Sequence, residues 1–166
     1  MAETQIRKYA VVERLGKMDV DLIELTPSTT TNACSDGEII FDNEKVANAV
    51  SVASGTGILQ SVTVIDDDDH GGALDLVFFD ATSSLGTEGS AISVADGAVP
   101  DAILGIVSIT NYFDGIAWQV GHKNNIGMIL RGDATRDIYM AAVNRSGGAL
   151  TYTAAGLLIK LGIVKD

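Results

Sequence analysis

Four consecutive aspartates and a histidine, Asp66 to His70 in the stretch "SVTVIDDDDHGGALDLVFFD", stand between two apolar runs. Carboxylate oxygens suit Ca²⁺ or Mg²⁺, but calcium loops commonly space their ligands at alternate positions, with a glycine to bend the chain. In extended backbone adjacent residues point to opposite faces, so Asp66 to Asp69 converge on one ion only if the chain turns tightly. Gly71 and Gly72 can adopt positive φ and supply that turn. The residue types therefore allow either a cation loop or an acidic turn between strands, and both readings stay open.

Other groups that could do chemistry are sparse. His70 and His122, the two histidines, lie far apart, and no HxH, HExxH or CxxC pattern supplies a transition-metal ligand set. The chain has no GxSxG, and its single cysteine, Cys34, sits in the polar loop "PSTTTNACSDGE" with no histidine near it in sequence. The glycine-rich "ASGTGILQ" lacks GxxxxGK[ST] and leads into β-branched residues rather than a helix, so it reads as a turn that starts a strand. With aromatics at 5%, Trp118 and the tyrosines Tyr9, Tyr112, Tyr139 and Tyr152 read as packing or interface residues rather than a sugar-stacking platform. No catalytic residue, metal ligand set or cofactor is expected.

The elements that would position these residues are short strands. Glycine is abundant (18), proline scarce (2), and the apolar runs are broken by Gly, Asn, Asp and Ser. Strands are expected at Val20 to Thr26, Glu38 to Asp42, Asn48 to Ala53, Ile58 to Asp66, Ala73 to Ala81, around Ile92 and Val94, at Ile116 to Gly121, Ile126 to Leu130, Asp137 to Asn144 and Ala149 to Ala155, and in the final "LLIKLGIVKD". "ILGIVSI", Ile103 to Ile109, is apolar at nearly every residue and reads as a central strand buried on both faces. "ADGAVPDA" reads as a brief helical turn capped by Asp96 and limited by Pro100. "RSGGA" signals a hairpin. About ten short strands without long helices predict an all-β antiparallel sandwich, jelly-roll-like.

Length and charge bound the rest. With 166 residues, one β-sandwich domain over 19–166 is expected, preceded by an arm over 1–18. The arm holds Arg7, Lys8, Arg14 and Lys17, four of the eleven Lys and Arg residues, in a chain of formal charge -11. Such a charge disfavours nucleic acid and anionic membranes as partners. The opening residues lack the unbroken apolar core of a signal peptide, and no stretch reaches the roughly 18 apolar residues of a membrane helix, so a soluble chain not exported through the Sec route is expected. One cysteine allows no internal disulfide, which permits a reducing cytoplasm.

Three blocks carry a likeness: "GTGILQSVTVIDDDDHGGALDLVFFD", "SLGTEGSAISVADGAVPDAILGIVSI" and "NRSGGALTYTAAGLLIKLGIVKD". Across them, from about Gly37 to Asp166, the chain resembles the head decoration, or capsid cement, proteins of tailed bacteriophages. The resemblance implies a non-enzymatic virion protein, assembled in the host cytoplasm, that binds the major capsid protein on the outer capsid surface as a homotrimer. It also implies that the aspartates form a solvated or interface turn that needs no metal. Arg7, Lys8, Arg14 and Lys17 are the residues expected to contact acidic capsid surface or an adjacent protomer. The alternatives are a phage tail or baseplate component and a carbohydrate- or metal-binding jelly-roll module.

Overall fold

A computed structural model describes residues 19–94 and 97–165. Residues 1–18, with Arg7, Lys8, Arg14 and Lys17, lie outside the described residues, as does Asp96. The described chain runs β1 (Asp19–Leu25), β2 (Ile39–Val46), β3 (Thr56–Asp66), β4 (Leu74–Phe79), α1 (Ala98–Ala102), β5 (Ile103–Ile109), β6 (Tyr112–Asp114), β7 (Gln119–Arg131), β8 (Ile138–Asn144) and β9 (Leu157–Lys165).

Every pairing is antiparallel, and the strands divide into two sheets of order β1-β9-β3-β7-β6 and β2-β8-β4-β5. With the three-residue β6 set aside, the orders are first-eighth-third-sixth and second-seventh-fourth-fifth. Successive strands thus alternate between sheets except at the β4–β5 hairpin, which is the double Greek key of a jelly roll.

Alternation along the strands builds the core. On β9, Leu157, Ile159, Leu161 and Ile163 point inward and are fully buried. They meet Leu74, Leu76 and Phe78 of β4 and Ile138, Met140 and Ala142 of β8 in one cluster. β3 needs a correction of phase to join them. Against β9, Leu59 pairs with Ile163 and Ser61 with Gly162, so Gln60 is an extra residue. This bulge brings Leu59 and Val62, three apart, onto the same inner face.

A second, smaller cluster covers the outer side of the four-stranded sheet. Ile39, Val77, Phe79, Ala141 and Val143 pack there under Leu85, with Val99 and Ala102 partly buried against them. The β4–β5 connection therefore folds back over the sheet, held by Asp42, whose carboxylate accepts the Leu85 N–H at 3.0 Å and the Ser84 hydroxyl at 2.6 Å. Burial on both faces explains why β4 and β8 read as continuous apolar runs.

Several sequence expectations are corrected. Asn48 to Ala53 forms turns and bends, with Asn48 and Ser54 at φ 55° and 56°, because two closely spaced left-handed residues interrupt an extended run. Around Ile92 and Val94 there is no strand, only an isolated bridge between Ala91 and Glu38. Ile116 to Gly121 and Ile126 to Leu130 are not separate strands: both contribute to β7, and the apparent break at Asn125 and Gly127 is a bulge with φ 55° and 68°. Ala149 to Ala155 is a loop with one bridge, Leu150 to Cys34. β5 is an edge strand, with Ile106 55% exposed, rather than a central one.

Gly121 on β7 shows how tightly the two layers meet. A Cβ there would lie 2.7 Å from the Tyr112 ring and crowd Ile109. Gly121→Val is expected to lower unfolding free energy by about 1–3 kcal/mol through overpacking. Gly148→Ala, which meets open space, is expected to change it by less than about 0.5 kcal/mol. Urea denaturation of both variants checks this.

Candidate functional site

The aspartate run joins β3 to β4, and the carboxylates of Asp66, Asp68 and Asp69 are engaged by the protein itself. Asp66, the last residue of β3, is fully buried. Its Oδ1 accepts the N–H of Asp68 at 3.0 Å, and its Oδ2 accepts those of His70 at 3.1 Å and Gly71 at 2.9 Å. Three backbone donors on one anion give charge-assisted bonds, and they close the turn around that carboxylate. Asp69 at φ 61° and Gly71 at φ 59° make the bend; Gly72 is not in the left-handed region.

Asp68 points the other way. Its carboxylate accepts the Thr153 N–H at 2.7 Å and the Thr153 hydroxyl at 3.0 Å, while the Asp67 N–H donates to Gly156 O at 2.9 Å. His70 Nε2 donates to Thr151 O at 2.8 Å, and its ring meets Tyr152 edge-on at 5.1 Å. Gln119, at the start of β7, donates to the Asp69 carboxylate at 3.2 Å. The run thus fastens the 151–156 loop and β7 to the end of β3. Among the described residues no group of three or more His, Cys, Asp or Glu side chains is arranged to hold a metal ion.

Two tyrosines line the same interior. Burial, followed by the nearby Asp66 charge, pushes the phenols of Tyr112 and Tyr152 well above their usual range. The remaining candidates are dispersed. Cys34 is buried and its thiol is raised, first by burial and then by the Glu38 charge, so the group stays a neutral thiol that donates toward Ile39 O at 3.5 Å. Asn144, also buried, donates to Cys34 O at 2.7 Å and Gly148 O at 2.8 Å, and this holds the "RSGG" turn. His122 lies on β7 across from Thr63 of β3, with its Nδ1 3.0 Å from the Thr63 hydroxyl, and not with His70.

Several large apolar side chains also face outward. Phe113 and Ile116 are 68% and 91% exposed, and the Phe113 ring packs at a tilt against Trp118, centroids 6.0 Å apart, where β6 turns into β7. Ile116 has φ 80°, a conformation β-branched residues avoid, held by the Asp114 carboxylate at 2.9 Å from its N–H. Nothing in the sequence pattern singled out Ile116, because the strain depends on the turn geometry. These side chains have no chemistry to offer a substrate, and they are the kind that anchor protein contacts.

The fold and site define an all-β jelly roll whose reactive side chains serve its own loops. No family model matches the chain, and no curated protein matches it. Among solved structures it is similar to a chain of the capsid of Ralstonia phage GP4, with 15% identity over 91% of this chain and 86% of that one, TM-score 0.38. It is similar also to a Desmodium yellow mottle tymovirus chain, with 14% identity over 90% and 87%, TM-score 0.29. A third is a chain of the Triatoma virus empty capsid, with 14% identity over 90% and 86%, TM-score 0.32.

Asp66→Asn removes the charge from three backbone hydrogen bonds and is expected to cost about 1.5–3 kcal/mol in urea denaturation. Millimolar Ca²⁺ is expected to leave the melting temperature of the wild type unchanged, since Asp66 and Asp68 are already bonded within the fold. Alkali should act on the tyrosines. Their folded values are raised, so their contribution is complete below the ordinary tyrosine value near 10 and declines as pH rises past it, when only the unfolded chain ionises. Tyr152→Phe is expected to flatten that decline in denaturation curves recorded from pH 9 to pH 11.

Proposed function

We propose that this chain is a structural protein of a virus particle, a head-decoration protein that binds the outer surface of a tailed-phage capsid in rings of three and works without catalysis. The observation that carries the reading is the use of Asp66, Asp68, His70 and Cys34 to tie loops to strands, while large apolar side chains face outward. A site for bond chemistry needs polar groups converging on open space; a docking protein needs exposed anchors on a rigid frame. The jelly-roll strand order and the three resembling sequence blocks support the same reading.

Such a protein acts by linkage. A ligand that binds the assembled shell better than its free subunits stabilises the shell by its differential affinity, and many equivalent sites add up. The arm fits this role by charge. Residues 1–18 carry four cations against Glu3 and Glu13, a net +2, which leaves -13 on the remainder of a chain of -11. An arm of that sign suits an acidic capsid or protomer surface, with the acidic body directed to solvent.

Low-resolution images of particles with and without the protein test the reading: added density on the outer head at three-fold positions is expected, and density in the tail overturns it. Deleting residues 1–17 is expected to reduce head occupancy at least tenfold, with a larger loss at high salt in the intact protein than in the truncated one. Undiminished occupancy rejects the role given to Arg7, Lys8, Arg14 and Lys17.

A further inference from the structure

Two hydroxyls inside the sandwich have no partner among the described residues. The side-chain oxygens of Tyr112 and Tyr152 are both buried, and neither makes a hydrogen bond to the protein. Such groups are rare in folded proteins, because the water each one lost on burial has not been replaced.

Register brings the two together. Asp66 lies opposite Gln119 on β7; two positions back, Val64 lies opposite Gly121, which in turn faces Tyr112 on β6. Val64, Asp66 and Gly121 are all buried, and Tyr112 packs against the same core cluster. The Tyr112 ring fills the space over Gly121, where a Cβ would lie 2.7 Å from it. It therefore extends from β6 over β7, on the inner face that carries Asp66. Tyr152, 2% exposed, enters from the 151–156 loop, which Asp68 holds through Thr153 and His70 through Thr151. Burial first, and then the Asp66 charge, raises both phenols, and Tyr152 responds to Tyr112 as well. Asp66 also has capacity left. A carboxylate offers about four acceptor positions; Oδ2 takes the N–H groups of His70 and Gly71, but Oδ1 takes only that of Asp68.

We propose that an ordered water sits between Tyr112, Tyr152 and Asp66, accepting from both hydroxyls and donating to Asp66 Oδ1. About three bonds is the usual number for a buried water, and polar interiors are where such waters are held. Neither hydroxyl reaches the other or the carboxylate in hydrogen-bond geometry, so one bridging molecule satisfies all three groups. The water ties β3, β6 and the 151–156 loop to one another, three segments that no strand pairing joins directly. This site stands independently of the function proposed above.

Urea denaturation of Tyr112→Phe, Tyr152→Phe and the double variant at neutral pH tests this, together with a crystal structure of the wild type. Each single substitution is expected to lower the urea midpoint, since it takes a bond from the water. The double substitution is expected to lower it by less than the sum of the two, because both act on one molecule. The crystal is expected to hold a water within about 3.2 Å of both hydroxyls and of Asp66 Oδ1. A midpoint that rises in either single variant overturns the site, because phenylalanine has then removed a hydroxyl that had no partner. Additive losses overturn the shared water, as does a crystal in which the hydroxyls bond each other or Asp66 directly. Exchanging sodium for choline in the buffer is expected to leave the wild-type midpoint unchanged; a fall that the double variant does not share gives the site to a cation and overturns the water.

Discussion

The buried carboxylate of Asp66 is the constraint on which the rest of the structure depends. A jelly roll must send its chain from one sheet to the other at each end of the sandwich, and β3 to β4 is such a crossing. The crossing is short, so its backbone donors have no ladder to join and need other partners. Asp66 collects three of them on one anion at the end of β3. Desolvating that charge is unfavourable, and the three charge-assisted bonds offset the cost. Because the turn is closed from inside, Asp68 and His70 are turned toward the 151–156 loop, which has no sheet partner and is held by their side chains instead.

This division of labour explains which parts of the fold were legible in the sequence. Strict alternation on β9, with Leu157, Ile159, Leu161 and Ile163 inward, sets its register by pattern alone. The apolar runs of β4 and β8 are equally clear, since both faces are covered. "ILGIVSI" has the same composition, yet β5 lies at an edge: composition reports how apolar a strand is, not how many neighbours it has. "ALTYTA" alternates like a strand but lies beside the aspartate turn, where the Asp68 carboxylate takes the Thr153 N–H. No local pattern carries that information, because the partner is about 85 residues away.

The same holds for the candidate site. The quoted run drew attention to Asp66 through Asp69 as a group, and adjacent residues in a strand do point apart, but the sequence could not say where each one goes. One is buried, one reaches Thr153 and one meets Gln119. The bulges at Gln60 and at Asn125 to Gly127 were hidden for a related reason. A single extra residue shifts the phase of every position after it, so a face assigned by counting from Ile58 is wrong beyond Gln60.

Phase also decides which apolar residues face water. Without the Gln60 bulge, a strict period of two would place Ile58, Gln60, Val62 and Val64 on one face and leave Leu59 on the other with Ser61, Thr63 and Ile65. With it, Val62 and Val64 join the core while Ile58 and Ile65 point outward in line with the apolar residues of β7 and β9. The bulge therefore does two things at once: it fills the interior at Leu59, Val62 and Val64 and it aligns an apolar exterior. An exterior of that kind favours aggregation in an uncharged protein. Here the formal charge of -11, which every copy shares, opposes such aggregation.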